Sequence, residues 1–242
     1  MQTELVPRLD AGLTLDFHLL GIVPLPRALA LQRRLVAEVA TGVARSIPVL
    51  MCEHTESISV GRTGSRVHIR LSQDELRRRD VAVEWVQRGG GGIAHGPGQL
   101  CVYPILPLRE IGWTVGEYLR RLRNGIVAAI ERLNLTAESR EECGGIWGRT
   151  GMLAAIGVAV HNWTTCHGAF LNVNPARALT GFVQTDGRAP MSSLLAERRG
   201  AVKMPTVRTA VIECLATAFA AETFNIHADS AFAHDHAATS KS

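Results

Sequence analysis

The chain has 242 residues, 46% of them hydrophobic, enough apolar material for one substantial core. Its formal charge of +4 comes almost wholly from arginine, since Lys203 and Lys241 are the only lysines; the clusters at Arg77 to Arg79 and at Arg120, Arg121 and Arg123 read as solvated faces, and no interleaved aromatic residues point to a nucleic-acid surface. No uncharged apolar run approaches the roughly 18 residues of a membrane span, and Glu4, Arg8, Asp10 and Asp16 interrupt the first twenty residues, so the expectation is a cytoplasmic protein with no membrane segment and no signal peptide. The five cysteines, at 52, 101, 143, 166 and 214, are odd in number with no paired short spacing, which points to free thiols rather than a disulfide framework or zinc ribbon.

In chain order, Ala28, Leu31, Leu35, Val39 and Val43 recur every three or four residues and predict an amphipathic helix over 27–43. Val115, Tyr118, Leu122, Ile126 and Ala129 predict a second over 115–134, with Thr114 as its cap. Val207, Val211, Leu215 and Phe219 predict a third over 206–222, with Cys214 on its core face. Between the helices lie "IPVLMCEH", "VAVEWVQ", "LCVYPILPL", "MLAAIGVAV" and "GAFLNVN", each of strand length and bounded by Gly, Pro or charge. This alternation predicts an α/β (α+β) fold: one domain over 1–230 on a mixed sheet flanked by helices, then a mobile tail over 231–242.

The stretch "RGGGGIAHGPGQL", residues 88–100, is the strongest local signal. Glycine brings backbone N–H groups close to a ligand without an intervening side chain. The run suits a thin, extended substrate, although a plain surface turn is the alternative, and the "GK[ST]" ending of a phosphate loop is missing. No His-x-x-x-His or Cys-x-x-Cys pair falls on a predicted element, so no metal site is expected.

Taken with its neighbours, "RGGGGIAHGPGQLCVYPILPL" resembles the R-G-G-x-x-x-x-H-G-P-G-Q-L-x-x-Y-P-I-L-x-L signature of the lipoate-pathway octanoyltransferases. These move an octanoyl group from acyl carrier protein to a lysine on a lipoyl domain or glycine-cleavage H-type protein. "LLGIVPLPRALALQRRL" is similar to the family's opening helix, "EHTESISVGR" to its strand and turn, and "AAIGVAVHNWTTCHGAFLNVN" to its A-A-I-G and H-G-x-A-L-N-V-N block. The resemblance implies the lipoate-ligase and biotin-ligase catalytic fold, with no cofactor. It places substrate contacts on Arg88, Gly89, Gly90, Gly91 and Gly92, and on Ile93, Ala94 and His95. Further contacts fall on Ala155, Ile156 and Gly157, and on Gly168, Ala169 and Phe170 beside His167. Alone, His95 and His167 would read as buried structural histidines; within these motifs they read as part of the cleft.

The family's catalytic pair is a cysteine and a lysine that keeps it as thiolate. Met152 stands where the lysine of K-I-A-A-I-G is expected, and counting back from Ser192, Ser193 and Leu194 puts Gln184 at the cysteine's place; a shift of one or two residues offers only Thr185 or Asp186. Methionine cannot lower a thiol pKa and glutamine is not a nucleophile. A displaced nucleophile would be Cys143, on the segment entering the same strand, or Cys166 with His167 as base; Cys52 and Cys101 read as packing. The expectations are therefore an acyltransferase with altered catalytic residues, for which direct aminolysis is one route, or a catalytically silent relative that binds the acyl chain, acyl carrier protein or lipoyl domain.

Overall fold

The computed structural model describes residues 12–42, 46–140, 144–176, 179, 181–183 and 191–228. Its strands are β1 (Thr14–Val23), β2 (Ile47–His54), β3 (Ser57–Val60), β4 (Ala82–Trp85), β5 (Gly92–His95), β6 (Gln99–Pro104), β7 (Glu138–Arg140), β8 (Gly145–Trp147), β9 (Met152–His161), β10 (Thr164–Asn172) and β11 (Thr223–His227). Its α-helices are α1 (Leu25–Ala40), α2 (Gln73–Arg78), α3 (Val115–Arg132), α4 (Leu194–Arg198) and α5 (Met204–Ala218). An eight-stranded mixed sheet runs β11-β1-β2-β6-β10-β9-β8-β7, parallel through β11, β1 and β2 and antiparallel from there on. A second sheet, β4-β3-β5, pairs β3 parallel to β4 and antiparallel to β5.

One face of the large sheet is covered by α3 and α5. Tyr118, Leu122, Ile126 and Ile130 of α3 meet Val207, Val211 and Leu215 of α5 over Val49, Val102 and Leu171. The two helices approach so closely at Gly125 that a Cβ there would lie 2.6 Å from Leu215 Cδ2. On the opposite face Ala28, Leu35 and Val39 of α1 pack with Leu50, Cys52, Cys101, Tyr103 and Phe170. The small sheet has its own apolar cluster, in which Ile58 and Val60 meet Leu179, Phe182 and Val183. The expected mixed sheet flanked by helices is therefore present.

The local differences have physical reasons. Residues 19–23, taken as part of an opening helix, are the end of β1, which alternating "LTLDFHLL" builds and the sequence reading missed; Pro24 cannot extend the strand and instead caps α1. The third helix ends at Ala218, not 222, because Ala220 adopts φ +53°. Cys214 is only partly buried at the margin of the core rather than inside it. Thr114 caps α3 as expected, accepting from Glu117 N at 3.1 Å. "VAVEWVQ" contributes only β4. The expected tail, with Cys143, Gln184, Thr185 and Asp186, lies outside the described residues. No helix among the described residues is long and apolar enough to cross a membrane.

Candidate functional site

The glycine run answers a packing need before any ligand is considered. Residues 88–91 lie backbone to backbone on the turn after β3: Gly61 N donates to Gly91 O, Arg62 N to Arg88 O and Thr63 N to Gly90 O, at 3.0–3.2 Å. A Cβ on Gly61 would stand 2.4 Å from Gly90 O, and Gly90 itself has φ +81°. Gly89 N donates to Val158 O at 3.0 Å and so ties the run to β9. Gly89, Gly90 and Gly91 therefore join two turns to each other and to the large sheet; they do not line the cavity described below.

Arg88, 1% exposed, points inward from this run. Its Nη2 donates to Ser59 O at 2.8 Å and to Ser59 Oγ at 2.7 Å, its Nη1 to Gly89 O at 3.0 Å, and its guanidinium lies 5.6 Å over the Phe170 ring. No carboxylate pairs with it among the described residues. Burial accordingly pulls its pKa down to about 10, and the side chain is still a cation at neutral pH.

From Arg88 a buried chain of polar groups runs across both sheets, and its donors and acceptors can be assigned from its two ends. Gln99 Nε2 faces Ala94 O at 3.1 Å, and a carbonyl can only accept, so this atom is the amide nitrogen. Gln99 Oε1, 2.7 Å from His95 Nδ1, then accepts from a protonated Nδ1. His95 Nε2 is left as acceptor for the Ser59 hydroxyl at 2.7 Å, and Ser59 Oγ accepts from Arg88. Beyond Gln99, Nε2 donates to Asn172 Oδ1 at 3.0 Å, and Asn172 Nδ2 donates to Ser192 O at 3.0 Å. Ser192 N in turn donates to Met152 O at 2.8 Å. Burial lowers the His95 pKa, so this one neutral tautomer holds at neutral pH.

Over this chain lies an apolar cavity of about 520 Å³, counting its open mouth. Gly92, Ile93 and Ala94 of β5 form one wall, Met152 and Ala155 of β9 the opposite one, and Pro175, Leu179, Val183 and Met191 the sides. Among its described lining residues Gln99 and Asn172 alone are polar, and both are already hydrogen-bonded. No titratable side chain is among the described lining residues. Ile93, Ala94 and Ala155 thus stand where substrate contacts were expected.

Other expected contacts fall elsewhere. Gly157 is covered by Arg88 Cδ and Gly89 O, each 3.0 Å from where its Cβ would be, and Gly168, its partner in the β9–β10 ladder, packs on Val102 O. Ile156 and Ala169 belong to the core on the opposite face, since neighbouring residues of a strand alternate. Phe170 and His95 lie behind the cavity, their rings 5.1 Å apart.

Cys166 and His167 do not form a nucleophile and base. Burial pushes the Cys166 thiol up to about 11 with no cation to offset it, and no hydrogen bond joins the two side chains among the described residues. Burial, helped by Arg88, His161 and His95, takes His167 down to about 4, while its N–H donates to Gln32 Oε1 at 2.8 Å. Met152 faces the cavity where a lysine was expected, bridging to Met191. The sequence reading missed Ser59 and Asn172; both stood inside quoted motifs, but nothing distinguishes Ser59 there from any polar residue on a strand. Arg77 and Arg120, in the basic clusters, pair with Asp74 and Glu117 on their own helices, as solvated faces do.

The two sheets, the glycine turn between them and the apolar cavity define a catalytic domain of the lipoate- and biotin-ligase type. A lipoate-protein ligase A solved with ATP superposes with a TM-score of 0.69 at 14% identity, over 88% of this chain and 87% of the other. The biotin protein ligase of Aquifex aeolicus gives 0.50 at 10% identity, over 85% and 68%. At these identities the likeness concerns the fold alone. Residues 24–216 match the family described as lipoyl protein ligase A/B catalytic domain. An octanoyltransferase of Chloroflexus aurantiacus is 34% identical over 202 residues, covering 76% of this chain and 90% of its own. The chain belongs to this family and, within it, to the octanoyltransferases.

Proposed function

We propose that the chain takes an octanoyl-type acyl group from acyl carrier protein into the cavity between β5 and β9 and passes it to a lipoyl-domain or H-type-protein lysine without an acyl-enzyme. The observation that carries this reading is a cavity whose described lining is mostly aliphatic, with the two polar side chains among those residues already hydrogen-bonded, which suits a hydrocarbon tail. The thioester carbonyl would then lie toward the mouth. In direct aminolysis the lysine amine attacks that carbonyl, a C–N bond forms, the C–S bond breaks, and the amine's proton leaves with the carrier thiol. The protein contributes position and exclusion of water.

Met152 in the wall, with no ionisable side chain among the described lining residues, favours a second reading: a silent relative that binds the acyl chain or its carriers as a partner. Intact mass after incubation with octanoyl-acyl carrier protein, with and without a lipoyl domain, separates the two. Octanoylated lipoyl domain with no adduct on the protein supports direct transfer. An adduct mapped to Cys143 or Cys166 overturns it in favour of a displaced nucleophile, and binding without transfer leaves the silent partner.

A further inference from the structure

The acyl reading has no use for two buried thiols on the same face of the large sheet. Cys52 of β2 and Cys101 of β6 are direct partners across the antiparallel ladder, 2% and 0% exposed. Residues so opposed have Cα atoms about 4.5–5.5 Å apart, inside the roughly 4.4–6.8 Å that a disulfide bridges. The backbone therefore need not move for the two sulfurs to bond.

Their surroundings are not those of inert packing. Cys52 Sγ lies 3.8 Å from His54 Nε2, and the Cys101 thiol donates to Gln99 Oε1 at 3.7 Å. Burial opposes ionisation of Cys101, but the neighbouring Cys52 and His54 outweigh it and hold this thiol well below its ordinary range; burial and Cys101 hold Cys52 well above. One member of the pair is thus prepared to attack and the other to resolve. Gln99, which touches Cys101, also lines the cavity, so a change at the thiol pair reaches the cavity through one side chain.

We propose that Cys52 and Cys101 close to a reversible disulfide when the protein meets hydroperoxide, and that the bond weakens acyl binding through Gln99; this second clause rests on the cavity's being the acyl site. The Cys101 thiolate, its proton held on His54, attacks one peroxide oxygen; an S–O bond forms as the O–O bond breaks, and the departing hydroxide takes that proton from His54 and leaves as water, so that His54 is neutral again. Cys52 passes its proton to His54 and attacks Cys101 Sγ; the S–S bond forms, the S–O bond breaks, and the second hydroxide leaves as water with that proton. Two thiols are oxidised and one peroxide is reduced to two waters. A low-molecular-weight dithiol reverses the step. Closure removes the Cys101 contact to Gln99 Oε1, at a residue that with Asn172 belongs to both the cavity lining and the Arg88-to-Ser192 chain.

The test treats the full chain with hydrogen peroxide, blocks remaining thiols under denaturing conditions, and maps peptides without reduction. A cross-link joining the Cys52 and Cys101 peptides, lost with dithiothreitol and absent in Cys52→Ala, is expected; only sulfinic products, or cross-links through other cysteines, would overturn the pair. Because this readout uses the wild-type protein, it stands even if the variant folds poorly. Octanoyl-acyl carrier protein binding is then compared before and after oxidation, with a loss of at least about tenfold expected in the wild type. A cross-link with unchanged binding overturns the link to the cavity. If the reduced protein binds no octanoyl carrier at all, the acyl reading has failed and the peptide map alone decides the dithiol.

Discussion

Ser59 shows how much a single unremarked residue holds. Its hydroxyl is the only group between a buried cation and a buried imidazole, accepting from Arg88 and donating to His95. Removing it leaves both partners desolvated, which costs about 1–3 kcal/mol. Ser59→Ala is expected to lose that much in urea unfolding, whereas Ser65→Ala, at an exposed cap, should lose less. Met152 could be singled out from the sequence because chemistry attaches to residue type, and the structure places it in the cavity wall. Met152→Lys combined with Gln184→Cys is expected to gain an octanoyl adduct on intact mass that neither single substitution shows, because thiol and amine act as a pair. Ser59 was illegible for the opposite reason, since its role exists only through atoms far away in the chain.

Among the elements, the three long helices were legible from the apolar spacing because each buries one stripe against a sheet. Their ends were less so: α5 stops at Ala218 where the backbone turns left-handed, which no spacing reveals. Strand β1 escaped because its burial pattern becomes exposed past Leu19, and short β3, β5 and β8 exist only through their partners. The turn that carries the chain from β5 in the small sheet to β6 in the large one is the element on which most depends. Gly98, at φ +89°, accepts from Val173 N and Asn174 N and donates to Glu53 Oε2, and a Cβ there would stand 2.3 Å from Asn174 O. Gly98→Ala combines backbone strain with that overlap and is expected to cost upward of about 2 kcal/mol. Thermal unfolding would show it, and a loss within a few tenths of Gly112→Ala, which meets no neighbour at a similar φ, would contradict the packing described.

Across the molecule, buried ionisable groups set the response to acid. His167 is shifted from 6.5 to about 4 by burial and nearby cations, and His95 moves in the same direction. The unfolded chain takes up these protons first, so stability falls as pH drops from about 6.5 toward 4, by at most on the order of 3 kcal/mol for His167. Glu197 moves from 4.5 to about 2: burial opposes this, but bonds from Thr150 and Arg149 prevail, so its contribution is present above about 4.5 and lost toward 2. His54 offsets part of the first step, because Cys101 holds its pKa up against burial. Unfolding free energy measured against pH is expected to show the first decline reduced in His167→Gln and the second in Glu197→Gln. The layered architecture was legible from the alternation of helices and strands; the order of the strands was not, because no local pattern states that the last strand returns to lie beside the first.

That return has a topological result. Thr14 and Thr223 are partners at one margin of the large sheet, with the two strands running the same way. Among the described residues the first and last strands therefore clasp each other. Loosening either one opens a single seam separated by several strands from the hollow beside β9, so strain at that seam and the shape of the hollow are mechanically separate affairs.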